Sequence, residues 1–262
     1  MNILVCVKPV PDPEKYGDLK IDGETKRLIR EGIPTVVNPS DRNALEEALR
    51  LREEHGGKVT VLSMAPEFSR DKLVECLAMG ADEAYLVSDR VFGGADTYAT
   101  SYVLAKAAEK LGSFDLILMG NESADGATAH VPVQLAEWLG LPHLCRVCAV
   151  SVTDDGLRVV KKGDEGRLVF GIRKPCVLAV SSDINKPRYV NAMGLIKARK
   201  KPLTIWSNED LALDEEKLGL TGSPTKAGEL ISPDMKRGSE SLGKDPEEIA
   251  GRIAELIRKA GV

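Results

Sequence analysis

Short apolar runs alternate with amphipathic stretches from residue 1 to 140. Residues 3–7, 58–64, 84–87 and 116–119 are apolar enough to read as strands buried on both faces, the pattern of a parallel sheet. Helical spacing separates them. Ala44, Leu45, Ala48, Leu49 and Arg52 mark a first helix, opened by Asn38-Pro39-Ser40-Asp41 with Ser40 or Asp41 as its N-cap and ended by Gly56-Gly57. Ser69 caps a second helix that Gly80 closes, and Asp96 caps a third over residues 97–111. A fourth starts near Thr128, with Pro132 in its first turn and Val131, Leu135, Trp138 and Leu139 on one face. Strands alternating with helices predict an α/β fold, a mostly parallel sheet flanked by helices. Asp22-Gly23, between short alternating runs, predicts an inserted hairpin after the first strand.

From Leu144 the period changes to two. Residues 146–153, 157–162, 167–172 and 176–181 alternate, with turns at Asp155-Gly156 and Glu165-Gly166, and predict antiparallel strands added to the sheet. Residues 207–244 are poor in large apolar groups and read as an extended arm. A terminal helix follows, with Asp245 as N-cap, Pro246 at N1 and an apolar stripe of Ile249, Ile253, Leu256 and Ile257 that must dock on this chain or on a partner. The expected division is therefore an α/β domain over 1–206 and an arm with its helix over 207–262.

Composition narrows the function. A formal charge of −4 and a pI near 5.6 argue against nucleic acid as the main partner. There is no apolar run long enough for a transmembrane span, and MNILVCVKPV enters a strand pattern without a charged leader, so a cytoplasmic protein is expected. Cys145 and Cys148 form a single CxxC beside His143 without a second ligand pair, and buried reduced thiols are the expectation for all five cysteines. His55, His130 and His143 are the three histidines, and none stands in a nucleophile context. Neither GxGxxG after the first strand nor a Walker A loop is present. Phe92-Gly93-Gly94-Ala95-Asp96 lacks the leading Ser of an ATP-pyrophosphatase loop. No catalytic residue and no metal site is expected, and a bound cofactor must do any chemistry.

Ligands on a parallel sheet sit beyond the carboxyl ends of the strands. The loops at 6–13, 64–66, 88–96 and 120–128 lie at that edge, so one nucleotide-sized site is expected there. In LILMGNESADGATAHVPVQLAEWL a strand leads through a small-residue loop into a helix. That arrangement points amides and a helix dipole at one spot, as a phosphate requires, and it is also the form of an ordinary ligand-free corner. Thr97, Thr100 and Ser101 offer hydroxyls nearby, either to a phosphate chain or to their own helix.

Several segments together resemble the β subunit of electron transfer flavoproteins: VCVKPVPD, NPSDRNALEEALRLRE, VTVLSMAP, LAMGADEAYLVSDRVFGGADTYATS, GNESADGATA, and NKPRY followed by IKARKK. The order is right over essentially the whole chain, and VSDRVFGGADTYATS resembles the electron-bifurcating branch. The resemblance implies a Rossmann-like, adenine-nucleotide-binding fold. It implies FAD in the β subunit, with AMP as the alternative in a non-bifurcating carrier whose FAD lies in the α subunit. It implies a heterodimer with that α subunit, and electron transfer among NADH, ferredoxin or flavodoxin, and an acyl-CoA or 2-hydroxy acid dehydrogenase. Any NADH-dependent oxidoreductase activity would belong to the αβ complex.

By the same resemblance Cys6, Asn38, Asp41 and Met64 line the nucleotide, and Asp96, Thr97 and Thr100 serve the FAD of the bifurcating type. Gly120, Asp125, Gly126, Ala127, Thr128, Ala129, His130 and Val131 wrap the phosphates and ribose. Ala127 and His130 depart from the family pattern, which often places an acid and an amide there. Tyr189, Ala192, Met193 and Leu195 form the segment that docks a dehydrogenase, with Ala192 beside Met193 in place of a large aliphatic anchor. An unrelated ATP-binding module of stress-protein type is the third reading of the residues.

Overall fold

In the computed structural model, residues 1–18, 20–21, 28–29, 33–190, 192–226, 228 and 241–261 are described. The strands are β1 (Asn2–Cys6), β2 (Pro9–Pro11), β3 (Lys20–Ile21), β4 (Leu28–Ile29), β5 (Thr35–Val37), β6 (Lys58–Met64) and β7 (Glu83–Val87). They continue with β8 (Leu116–Gly120), β9 (His143–Thr153), β10 (Gly156–Gly163), β11 (Gly166–Ile172), β12 (Cys176–Val180) and β13 (Leu203–Trp206). The helices are α1 (Pro39–His55), α2 (Arg70–Met79), α3 (Thr97–Leu111), α4 (Val131–Leu139), α5 (Ala192–Ala198), α6 (Asn208–Leu211) and α7 (Pro246–Ala260).

One nine-stranded sheet runs in the order β11-β10-β9-β12-β8-β1-β6-β7-β13. Its centre, β7-β6-β1-β8-β12, is parallel throughout. Alternate residues of β1 show why these strands are apolar at every position. Ile3 and Val5 pack under α1 and α2, while Leu4 and Cys6 pack under α3 and α4. Both faces are covered, so both sets are buried. From β1 the chain crosses through α1 to β6 on one side. It later returns through α3 to β8 on the other side of β1. The crevice between β1 and β8 is therefore the switch point at which such sheets bind ligands.

Two expectations are corrected here. Residues 176–180 do not extend the antiparallel addition: β12 inserts parallel between β8 and β9. The antiparallel meander is β9-β10-β11 alone. A wholly buried strand, CVLAV, signals this, because a half-exposed addition would alternate. The fourth helix starts at Val131 rather than Thr128, because Ala127 and Ala129 take positive φ of 46° and 55° and hold the chain out of helix.

The predicted hairpin pairs Lys20 with Ile29 and Ile21 with Leu28 antiparallel, and its Asp22-Gly23 turn lies outside the described residues. The chain forms two units, Met1–Gly228 and Glu229–Val262. Residues 207–226 belong to the first, where Leu218 is buried and Gly219 lies too close to the Val91 carbonyl for any side chain. In the second, α7 is capped by Asp245, which accepts from the Glu247 amide at 3.1 Å. Among the described residues no helix is long and apolar enough to cross a membrane.

Candidate functional site

A cleft of about 1040 Å³ opens at the carboxyl edge of β1, β6, β7 and β8. Four loops line it, at residues 6–8, 64–68, 87–97 and 119–132, with Asn38 and Asp41 of the α1 start between the first and last. Of the residues singled out for a nucleotide, Cys6, Asn38, Asp41, Met64, Asp96, Thr97, Thr100, Gly120, Asp125, Gly126, Thr128, Ala129, His130 and Val131 all reach it. Ala127 does not line it. Its amide is turned inward to the Ser123 carbonyl at 2.8 Å.

The start of α1 is built differently from expectation. Asn38, not Ser40 or Asp41, holds the N-cap position, with Pro39 at N1. Its side chain does not cap the helix. It reaches across to the loop after β8, donating to the Glu122 carbonyl at 2.9 Å and accepting from the Ala124 amide at 3.0 Å. Ser40 Oγ donates to the same carbonyl at 2.8 Å. Asp41 lies inside the first turn, where one carboxylate oxygen accepts the Lys8 amide at 2.7 Å and the other the Gly120 amide at 2.9 Å. It therefore clamps the ends of β1 and β8 together at the switch point. Burial pushes the Asp41 carboxyl up to about 6, against the pull of the Lys8 amide, the Asn38 side chain and the Gly120 amide. Gly120 is required there: a Cβ would fall 2.4 Å from Asp41 Oδ1.

The loop at 121–130 ends on the N-terminus of α4, a nine-residue helix. Among the described residues the amides of Thr128, Ala129, His130 and Val131 have no hydrogen-bond partner. Four unpaired main-chain donors beside a helix N-terminus suit an anion, and the residues present thus fit a phosphate-bearing group. The opposite wall is the N-terminus of α3. Asp96 caps it, accepting from the Tyr98 and Ala99 amides at 2.9 and 3.0 Å, and also from the Thr225 amide at 2.9 Å. Burial would raise the Asp96 carboxyl, but the amides of Ala99, Thr225 and Tyr98 hold it below the usual carboxylate range.

The three hydroxyls of that helix divide. Ser101 donates to the Tyr98 carbonyl at 2.8 Å and accepts from Trp138 Nε1 at 3.1 Å, so it is engaged within the fold. Thr97 and Thr100 face the cleft, and neither hydroxyl has a partner among the described residues.

Sequence reasoning passed over Lys8, Ser123, Phe68 and Arg90, all of which line the cleft. Lys8 had a legible signal, a cation directly after the first central strand. Phe68 is 79% exposed at the lip, which no periodicity announces. The segment expected from the resemblance to dock a dehydrogenase lies elsewhere, around α5. Tyr189 and Met193 are 90% and 63% exposed, Ala192 is exposed, and Leu195 is half-buried. Arg188 anchors the segment to α1 through ion pairs with Glu46 at 2.8 Å and Glu53 at 2.7 Å.

The cysteines are free: Cys6, Cys76 and Cys176 are buried, while Cys145 and Cys148 are half-buried, contrary to expectation for the last two. Burial pushes the Cys76 and Cys176 thiols up to about 12. Among the described residues no group of three or more His, Cys, Asp or Glu is placed to hold a metal ion.

A family model described as the electron transfer flavoprotein domain matches residues 25–211. The chain is 42% identical over 261 residues to the caffeyl-CoA reductase-Etf complex subunit CarD of Acetobacterium woodii, covering 99% of this chain and 98% of that one. It is 43% identical over 263 residues to the electron transfer flavoprotein subunit beta of Thermoanaerobacterium thermosaccharolyticum, covering 100% of both. It is 36% identical over 270 residues to the protein FixA of Azorhizobium caulinodans, covering 99% of this chain and 95% of that one.

Proposed function

Because the chain belongs to the electron transfer flavoprotein family and is a β-type subunit of it, we propose that its cleft holds FAD and that the chain works as half of a heterodimer with an α subunit. Membership in the family places the chain in flavin-based electron transfer as part of a complex. The heterodimer would pass electrons among NADH, ferredoxin or flavodoxin, and an acyl-CoA or related dehydrogenase. The names of two relatives, the caffeyl-CoA reductase-Etf complex subunit CarD and the acryloyl-CoA reductase electron transfer subunit gamma of Anaerotignum propionicum, favour a CoA-thioester enzyme at the end of that chain. Tyr189, Ala192, Met193 and Leu195 would dock it.

The observation that carries FAD is the reach of the cleft. The amides of residues 128–131 and the hydroxyls of Thr97 and Thr100 stand on opposite walls of one space of about 1040 Å³, at the top of the range for ligand sites. In this reading the amides of the α4 wall bind the phosphates. Thr97 and Thr100 would donate to the diphosphate, and Phe68 and Arg90, which also line the cleft, would help to hold the flavin. When bound, the flavin ring supplies the one- and two-electron chemistry. No side chain of the cleft is asked to act as acid or base.

A second reading is a carrier subunit with AMP here and the only flavin in the α subunit. It needs only the β1/β8 crevice and the α4 wall. The relatives' names, which speak of electron transfer and not of a second flavin, favour it over bifurcation. Five free cysteines accord with a reducing, cytoplasmic setting for either reading. Nucleotide extracted from the purified heterodimer separates them. Two FAD per heterodimer is the expected result. One FAD and one AMP would replace the first reading by the second.

A further inference from the structure

We propose that Lys8 is a positioning residue for the nucleotide loop, acting through Asp125 and Ser123 rather than on the ligand. The inference rests on the nucleotide reading of the cleft and assigns the residue that sets its loop in advance.

Lys8 is held at both ends. Its amide donates to Asp41 at 2.7 Å, and its carbonyl accepts from the Asn38 amide at 2.9 Å. With the main chain fixed to the switch point, the side chain crosses the crevice. Its ammonium meets both carboxylate oxygens of Asp125 at 2.7 and 2.8 Å and Ser123 Oγ at 3.3 Å. Asp125 is the less exposed partner, its side chain 13% accessible against 48% for Lys8.

The loop at 121–130 is fixed at its start by Asn121, whose amide donates to the Val180 carbonyl at 2.9 Å and whose side chain accepts the Arg146 amide at 2.9 Å, and across its turn by the Ala127 amide on the Ser123 carbonyl. It forms no strand or helix. Asn38 and Ser40 tie down its first half, at Glu122 and Ala124. Lys8 ties down Asp125, in the turn at 124–126 that precedes the amides of residues 128–131. A carboxylate whose charge was not offset there would compete for those amides and repel a phosphate. Lys8 both neutralises it and fixes its direction. A pair this exposed adds little to global stability. Its effect is local: the ordering of the loop is met on folding rather than on binding.

The test uses the heterodimer stripped of nucleotide and titrated with ADP, the part shared by an adenine dinucleotide. K8M and D125N should each weaken ADP by about tenfold, and the double variant no more than either, because the two side chains act as one unit. K8R should recover binding to within about threefold of wild type. Amide exchange over residues 121–130 of the nucleotide-free complex should rise in K8M while its melting temperature stays in place. That pattern is not what general destabilisation gives. Tighter binding by D125N would mean that Lys8 is wanted on the phosphate itself, and additive losses would mean that Asp125 contacts the ligand. Either result overturns the proposal. A wild-type complex that binds while K8M binds equally well overturns this inference alone. A wild-type complex that takes neither ADP nor FAD overturns the nucleotide reading, and this inference with it.

Discussion

At the scale of single residues, the site is made by carboxylates that serve main-chain amides. Asp41 fastens two strand ends, and Asp96 fastens a helix start to the segment at Thr225. Asp96 yields a prediction with a sign. Its carboxyl lies below the ordinary range when folded, so the group stabilises the fold above its unfolded value and loses that contribution as pH falls through the carboxylate range. Asp96→Ala should cost about 1–2 kcal/mol in urea unfolding at pH 7, as for a lost helix cap. The difference from wild type should shrink below about pH 4. A difference independent of pH would assign the loss to packing instead. Asp96 was legible in the sequence as a cap because the residues after it repeat with a helical period. Asp41 was misread as a cap for a related reason. An acid near a helix start suggests capping, and only the tertiary fold shows that its partners come from residues 8 and 120.

At the scale of elements, the central parallel strands were legible to within one residue, and α3 to the residue, because buried strands and amphipathic helices have different periods. The strand at 58–64 and the helix at 97–111 fall where the pattern put them. What failed was set by neighbours. The direction of β12 depends on which strands flank it, and its unbroken apolar run CVLAV marks burial on both faces without naming those neighbours. The delayed start of α4 depends on two alanines in left-handed backbone, a conformation their residue type does not announce. The contrast between hydroxyls on α3 gives the element-scale prediction. Thr97→Val with Thr100→Val removes two cleft-facing donors at nearly constant volume. Each lost bond to a charged phosphate costs about 1.5–3 kcal/mol. Gel filtration at high dilution should strip the nucleotide of this subunit from the double variant while the α-subunit flavin stays. Retention equal to wild type would make those hydroxyls idle. Ser101→Ala, by contrast, should disturb the Trp138 fluorescence and not the nucleotide.

At the scale of the whole molecule, the chain forms two compact units, Met1–Gly228 and Glu229–Val262. Low apolar content marked residues 207–244 as an arm, and of these residues 207–226 hold to the first unit through a few contacts such as buried Leu218 and the Ser223 hydroxyl that accepts the Asp96 amide at 2.8 Å. Composition averages over such anchors. In the second unit, α7 carries the stripe of Ile249, Ile253, Leu256 and Ile257, and among the described residues it is the only regular element of that unit. A lone amphipathic helix is not stable by propensity alone, so α7 is expected to dock on the α subunit. A chain ended after Gly228 should keep the melting transition of the first unit and lose co-purification with the α subunit. Full association without α7 would place the interface elsewhere.

The most direct test of the account asks whether main-chain amides at this edge of the sheet bind the nucleotide. Hydrogen exchange should be followed in the heterodimer before and after its nucleotide is restored. The account predicts slowed exchange over residues 120–133 and at the start of α3, with the β9-β10-β11 meander unchanged. Nucleotide binding that leaves residues 120–133 exchanging as before would contradict it.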